Sequence, residues 1–235
     1  MRGGAGGLFV VTAAAAALCL FSGWPRGVML DVMVSVFVSV VVASEVLSAW
    51  NGQAAGREVS RIRLALFVYL LGAELVRPFL VFFIDELYTP AFPFGHDVAI
   101  GLPYLSWGLA VIAATTFGTV LNHRFSPRTV FVAGCGLAVA ASLLMAVATT
   151  LYQVILFRAL TGAATGIVTL AALIFVTQNA PAKGQARSMA AFVGASVAGS
   201  IGGSALGGIL AGVAGYRPVF LVIAAVIAGA AALGL

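Results

Sequence analysis

The sequence predicts an all-α fold, a polytopic bundle of transmembrane helices, on three observations. Hydrophobic residues make up 62% of the 235 residues and charged residues only 8%, whereas soluble domains carry roughly a quarter charged residues. The mean hydropathy is +1.14. The apolar residues form long runs, without the alternation that is typical of amphipathic soluble helices or strands. Lipid is therefore the expected solvent, and a helix pairs all its backbone groups within one segment there.

The length of the apolar runs predicts eight membrane spans. A bilayer core of about 30 Å requires about 20 residues at a rise of about 1.5 Å each. The first run follows Met1-Arg2 and could alternatively be a signal peptide. The last reaches Leu235 without a closing polar residue, so we expect a piece of a longer protein. The predicted spans are 7–23, 28–49, 62–84, 98–121, 129–149, 152–177, 188–212 and 218–235.

The charged residues between the spans fall unequally on the two sides of the membrane. A basic excess marks the cytoplasmic side, so we expect a multi-pass protein of the cell membrane with a cytoplasmic N-terminus. The formal net charge of +5 is then a topology signal, and we expect no nucleic-acid partner. The basic side carries Arg2, Arg57, Arg61, Arg63, Arg124, Arg128, Lys183 and Arg187. The other side carries Arg26, Arg217, Asp85, Glu86 and Asp97.

A polar segment at 50–61 is the one linker long enough to separate two units. We therefore divide the chain into two N-terminal helices, at 1–49, and a six-helix unit at 62–235. Six helices joined by short loops match the repeat unit of several transporter folds.

The loop between the fourth and fifth spans resembles a cytoplasmic loop of the major facilitator superfamily, Gly-x-Leu-x-Asp-Arg-x-Gly-Arg-Arg. Arg124 and Arg128 take its first and last basic positions, and His123 stands where the family has Asp. The resemblance implies that His123, Arg124 and Arg128 form a gating loop. By itself, this segment favours the alternative of a short basic turn.

The sixth span resembles the fourth helix of that superfamily, which carries Arg-x-x-x-Gly-x-x-x-Gly. Here the pattern is formed by Arg158, Gly162 and Gly166. Glycines four residues apart share a helix face and let a neighbouring backbone approach closely. Arg158 lies roughly 9 Å inside the outer end of the span. It therefore needs a partner or a wet cavity, unless its side chain extends back to the headgroups.

The seventh span resembles the fifth-helix motif Gly-x-x-x-Gly-Pro-x-x-Gly-Gly of proton-coupled antiporters in the same superfamily. Gly199, Gly203, Gly207 and Gly208 occupy the four glycine positions, and Ser204 replaces the proline. The glycines predict a groove for a neighbouring helix. In order and spacing, the three motifs resemble the N-terminal six-helix half of a major facilitator.

Two charges lie deep within the third span, where Glu74 is close to the bilayer midplane and Arg77 follows one turn later. Charges at this depth are costly and usually face the bundle interior. Glu74 could bind protons or pair with a substrate, with Arg77 and Arg158 binding an anion. Equally, Glu74 could form a permanent bridge to either arginine. Tyr104 and Trp107 are interpreted as helix anchors, with cavity lining as the alternative.

The sequence contains no cysteine, histidine or carboxylate cluster with metal-ligand spacing, and no phosphate-binding loop. We therefore expect no enzyme activity, no metal and no cofactor. The expected partners are the lipid bilayer, a small solute, protons as candidate coupling ions, and a missing C-terminal half or a second copy. The resemblance implies secondary transport by alternating access, with proton-coupled efflux as one form. The alternative is a membrane-embedded sensory or regulatory module of a larger signalling protein.

Overall fold

The computed structural model describes residues 57–90, 92–180 and 184–235. The predicted spans at 7–23 and 28–49 lie outside the described residues, as does the predicted linker up to residue 56. Within the described ranges the chain forms seven helices and no strand. They are α1 (Arg57–Glu74), α2 (Leu80–Leu87), α3 (His96–Arg124), α4 (Pro127–Ala146), α5 (Leu151–Asn179), α6 (Gln185–Ala214) and α7 (Tyr216–Gly234).

Helices α3 to α7 are each long and apolar enough to cross a membrane. Their ends lie within three residues of the corresponding predicted spans. Local sequence explains several of these ends. Ser126 caps the start of α4 by accepting a hydrogen bond from the Thr129 amide, and Thr150 caps α5 reciprocally with Gln153. Gly215 has a φ of +80° and separates α6 from α7. The membrane-bundle fold class is confirmed.

The predicted span at 62–84 is wrong as a single helix, because α1 ends at Glu74 and α2 begins only at Leu80. Pro78 explains the break, since it has no amide hydrogen and its ring conflicts with the carbonyl four residues earlier, at Glu74. The Glu74 carbonyl instead accepts from the amide of Arg77 at 3.2 Å. This three-residue turn is tighter than an α-helical turn. Regular bonding resumes with the Leu80 amide and the Val76 carbonyl, at 3.0 Å.

Helix α1 occupies a central place in the bundle, where it packs against α5, α6 and α7. On α6, three glycines spaced four residues apart face the backbone of α1: Gly199, Gly203 and Gly207. An added Cβ at Gly199 would lie 2.7 Å from the Phe67 carbonyl oxygen. An added Cβ at Gly203 or Gly207 would overlap the carbonyl oxygen of Leu71 or Leu75. Helix α6 therefore lies directly on the α1 backbone up to the point where α1 breaks.

Polar contacts at opposite ends of the bundle join different helices. At the end rich in basic residues, Arg128 contacts Glu58 at 3.0 Å, which ties the start of α4 to the start of α1. At the other end, Arg217 donates hydrogen bonds to the carbonyls of Ala146 and Ala148, at 3.0 and 2.9 Å. His96 also contacts Asp85 there, at 2.8 Å. Successive long helices therefore run in opposite directions between two ends of the bundle. One end is rich in basic residues and the other carries Asp85, as the charges of the loops predict.

The Gly207→Ala substitution tests the close contact between α1 and α6. The new methyl group would meet the Leu75 backbone, which cannot yield as a flexible side chain can. We expect a loss of about 1–3 kcal/mol in unfolding free energy, as for other overpacked sites. Thermal unfolding in detergent would measure the loss.

The matched control is Gly208→Ala, where the added Cβ would lie 3.6 Å from Pro78, an ordinary contact distance. Alanine also favours a helix over glycine, so this variant should unfold at or above the parental temperature. Equal effects of the two substitutions would contradict the packing of α6 on α1.

Candidate functional site

The break in α1 carries a carboxylate–guanidinium pair. Glu74 is 5% exposed, and the Arg77 Nη2 donates a hydrogen bond to its Oε1 at 3.1 Å. The Arg77 Nε forms a second contact, with the Oε2 of the same carboxylate. The Arg77 side chain remains 49% exposed. Of the bridges that the sequence left open for Glu74, the structure contains the one to Arg77.

Arg158 is buried on α5, with 4% of its surface exposed. Its guanidinium carbon lies 5.7 Å from the centre of the Trp107 ring, and that of Arg77 lies 5.8 Å from the same centre. Trp107 therefore receives cation–π contacts from both arginines. The Arg158 Nε is buried without a hydrogen-bond partner. Among the described residues, its guanidinium forms no ion pair within 4.0 Å, so the side chain ends inside the protein with its charge unpaired.

A narrow cavity lies beside Arg158, between α1, α3, α4, α5 and α7. Its internal space is about 20 Å³, enough for roughly one water molecule. Its polar lining comes from Tyr69, Ser142, Arg158, Thr161 and Thr165. Its other lining residues are Ala73, Val76, Trp107, Ala138, Met145, Phe220, Ile223 and Ile227. Glu74 and Arg77 lie next to this lining, and Glu74 is within electrostatic range of Tyr69 and Arg158.

The hydroxyl groups of the lining use their hydrogens within the protein. Thr161 donates to the Arg158 carbonyl and Thr165 to the Thr161 carbonyl, each at 2.9 Å. Ser142 donates to the Ala138 carbonyl at 2.8 Å. Because the Thr165 hydrogen is already engaged, the Tyr69 hydroxyl is the donor in its 3.1 Å contact with the Thr165 oxygen. The hydroxyls therefore stabilise the wall, while their oxygens can still accept.

Glycines place the charged and aromatic side chains of the site. An added Cβ at Gly162 would overlap the Trp107 carbonyl oxygen, and one at Gly166 would lie 2.8 Å from that of Val111. This close approach of α3 to α5 brings the Trp107 ring to Arg158, one turn before Gly162. On the other side of the site, an added Cβ at Gly203 would lie 3.0 Å from the Glu74 Cβ. The predicted glycines therefore lie where helix backbones meet, except Gly208, which has room for a methyl group.

The structure does not bring the predicted gating residues to the cavity. His123 and Arg124 are exposed at the end of α3. Arg128 forms the ion pair with Glu58, and its guanidinium lies 5.1 Å from the centre of the Phe175 ring. Sequence reasoning missed Glu58 as the partner. It could have been found, because it is the one acidic residue at the basic end of the described chain.

Sequence reasoning also gave Trp107 and Tyr104 a smaller role than the structure does. Trp107 lines the cavity, and the Tyr104 hydroxyl donates to the Arg77 carbonyl at 3.4 Å, beside the break in α1. The available signal was that Trp107 lies four residues before Val111, where the α3 segment that faces Gly166 begins. Using this signal required knowing that α3 pairs with α5.

The family model of the Major Facilitator Superfamily matches residues 62–235. The chain belongs to the major facilitator superfamily. The match begins at the first residue of the predicted six-helix unit and includes most of α1 and the whole of α2 to α7. No curated protein matches the chain. Membership identifies a multi-pass membrane protein of the major facilitator transporter type, whose surroundings are a lipid bilayer.

The Arg77→Gln substitution tests whether the pair at the break stabilises the fold. It would leave the buried Glu74 carboxylate without its partner, and we expect a loss of about 1–3 kcal/mol, moderated because Arg77 is half exposed. The double variant Glu74→Gln/Arg77→Gln carries no unpaired charge at this point and should recover most of the loss. Thermal unfolding of the single and double variants would measure both effects. Additive losses would show that the two side chains act independently.

Proposed function

We propose that this chain forms one half of a secondary transporter, which moves a small solute across the cell membrane by alternating access. The observation that carries the proposal is the buried Glu74 carboxylate, paired with the half-exposed Arg77 at a helix break. Beside it lies a narrow cavity lined by Arg158, whose guanidinium has no ion-pair partner within 4.0 Å among the described residues. Ionisable groups at membrane depth are costly and mark solute or proton pathways. A purely structural bundle would not require any of these three charges.

Glu74 is the group that we assign to proton coupling. As a carboxylate it binds Arg77 through two contacts, and protonation would remove the charge that holds this pair together. Arg77 would then be released from Glu74 while still next to Trp107, whose ring also forms a cation–π contact with Arg158. Because the pair lies at the Pro78 break, where regular helical hydrogen bonds are missing, its loss would free α2 to move relative to α1. Protonation would in this way change both the charge of the site and the shape of the helix.

The Glu58–Arg128 pair is the candidate gate at the basic end, which we assign to the cytoplasm. It joins the starts of α1 and α4, so breaking it would let these helices separate and open the site from that side. In this proposal, Glu58 supplies the carboxylate that the loop lacks at His123. The exposed Arg124 adds positive charge to the same loop.

A second half is required, because six spans supply only part of a major-facilitator cavity. We propose that a C-terminal half or a second copy supplies it. The outward face of α3 is apolar and uncovered, with Leu109 59%, Ile112 65% and Phe117 74% exposed. It is therefore available to lipid or to that second half. The antiporter-like glycine motif of α6 supports proton-coupled efflux as the direction, and no enzymatic step is part of this account.

Reconstitution of the full-length protein in vesicles tests the proposal. Uptake of a panel of small organic cations, neutral solutes and anions would be measured under an imposed pH gradient. We expect at least one solute to move, and Glu74→Gln to reduce its gradient-driven flux to near the level of protein-free vesicles. The control is Glu86→Gln, the same substitution at an exposed position whose side chain forms no hydrogen bond or ion pair among the described residues.

Equal gradient-driven flux in the parent and in Glu74→Gln would eliminate the coupling role of Glu74. A folded, reconstituted protein that moves no member of the panel would contradict transport and favour the sensory or regulatory alternative.

A further inference from the structure

We infer that the cavity beside Arg158 is a binding site for one water molecule, which accepts a hydrogen bond from the Arg158 guanidinium and donates to hydroxyl oxygens of the wall. The inference goes beyond the proposed transport function and does not depend on it. Three observations lead to it: the size of the cavity, the unsatisfied guanidinium at its edge, and the kind of hydrogen-bonding group that the rest of its wall presents.

The size of the cavity matches a single water molecule. Its internal space is about 20 Å³, and a buried water requires at least about 10–15 Å³. Apolar cavities in proteins stay dry, whereas a buried water in a polar one makes about three hydrogen bonds. Polar groups line this cavity, from Tyr69, Ser142, Arg158, Thr161 and Thr165. It is therefore large and polar enough for water, and too small for an organic solute.

Arg158 supplies the hydrogen-bond donor. Its side chain is 4% exposed, and its Nε is buried without a hydrogen-bond partner among the described residues. The cation–π contact with Trp107 stabilises the charge but occupies the face of the guanidinium rather than its N–H groups. A buried donor without a partner is destabilising. A water molecule in the cavity would give the guanidinium the acceptor that the described protein atoms do not provide.

The hydroxyl groups of the wall supply the acceptors. Tyr69, Ser142 and Thr161 each donate their hydroxyl hydrogen to another group of the protein. Their oxygens therefore keep free lone pairs but offer no hydrogen to a bound molecule. Water complements this wall, because it accepts from Arg158 and donates to the oxygens. A chloride ion would also pair with Arg158, but it is larger than water and would face hydroxyl oxygens that cannot donate to it.

X-ray footprinting of the full-length protein in lipid nanodiscs, in water enriched in heavy oxygen, tests the inference. A short X-ray pulse converts a bound water into a hydroxyl radical, which oxidises the side chains that it contacts. Met145 and Phe220 line the cavity and are only 1% and 2% exposed, and methionine is readily oxidised. We expect both to take up heavy oxygen. Phe131 is the matched control, because it is equally buried and does not line the cavity.

Two substitutions change the cavity in different ways. Ser142→Thr keeps the hydroxyl and adds a methyl group at the wall, so labelling of Met145 and Phe220 should fall to the level of Phe131. Thr161→Val removes one acceptor without adding volume and should also lower the labelling.

Ser196→Thr is the control substitution. The Ser196 hydroxyl also donates to the carbonyl four residues earlier, at 2.9 Å, but Ser196 does not line the cavity. Labelling in this variant should equal that of the parent.

Labelling of Met145 and Phe220 no greater than that of Phe131 in the unaltered protein would overturn the inference. Labelling that persists in folded Ser142→Thr or Thr161→Val variants would overturn it too, because the oxygen would then come from bulk water that enters when the bundle opens. Labelling that appears only after chloride in the buffer is replaced by gluconate would show that an anion occupies the cavity instead. Labelling that both substitutions remove and Ser196→Thr preserves would support the bound water, whether or not the protein moves a solute.

Discussion

Hydrocarbon solvates neither a charge nor an unpaired peptide group, and this constraint governs the arrangement of the whole bundle. The end of helix α1 violates both conditions at one place, because α1 ends at the charged Glu74 and the turn that follows contains Arg77 and Pro78. It is accordingly surrounded by α5, α6 and α7. The glycines of α6 allow this cover to lie directly on the α1 backbone, up to Leu75 at the start of the break. Leu75, Val76 and Phe79 at the break are thereby buried, while the Arg77 side chain remains half exposed.

Helix α5 likewise carries a charged residue next to a glycine at which another helix approaches closely. Arg158 lies one turn before Gly162, where the backbone of α3 approaches too closely for any Cβ. That approach supplies the Trp107 ring, which also lies near Arg77. One aromatic side chain thus connects the charged groups of α1 and α5. Trp107 contacts both arginines. A change at Glu74 that moves Arg77 can therefore also alter the contact between Trp107 and Arg158. On this basis we propose that proton binding and solute binding are linked in one site.

The sequence was sufficient to predict features that depend on one segment at a time. Span positions follow from the length of apolar runs, and Glu74, Arg77 and Arg158 stand out because charges are rare in such runs. Features that depend on helix pairing were not predictable. The roles of Trp107 and of the Glu58–Arg128 pair require knowing that α3 lies on α5 and that α1 begins beside α4. The break in α1 is a different case, because Pro78 was visible. Proline within an apolar run can either kink a helix or end it. Which of the two occurs depends on contacts with other helices, which the sequence alone does not show.

We propose that Glu74 and Arg158 face the interior of the bundle rather than lipid, beside a narrow cavity that opens to water during alternating access. The most direct measurement is the reaction of Thr161→Cys with an anionic, membrane-impermeant thiosulfonate, in a background without Cys19 and Cys135. Such reagents require a thiolate, which forms readily only in contact with water. Thr161 lines the cavity, whereas Leu156, on the same helix, is 57% exposed on the outer surface. We predict that the Thr161→Cys variant reacts and that Leu156→Cys does not. Reaction of Leu156→Cys, with Thr161→Cys unreactive, would contradict the account.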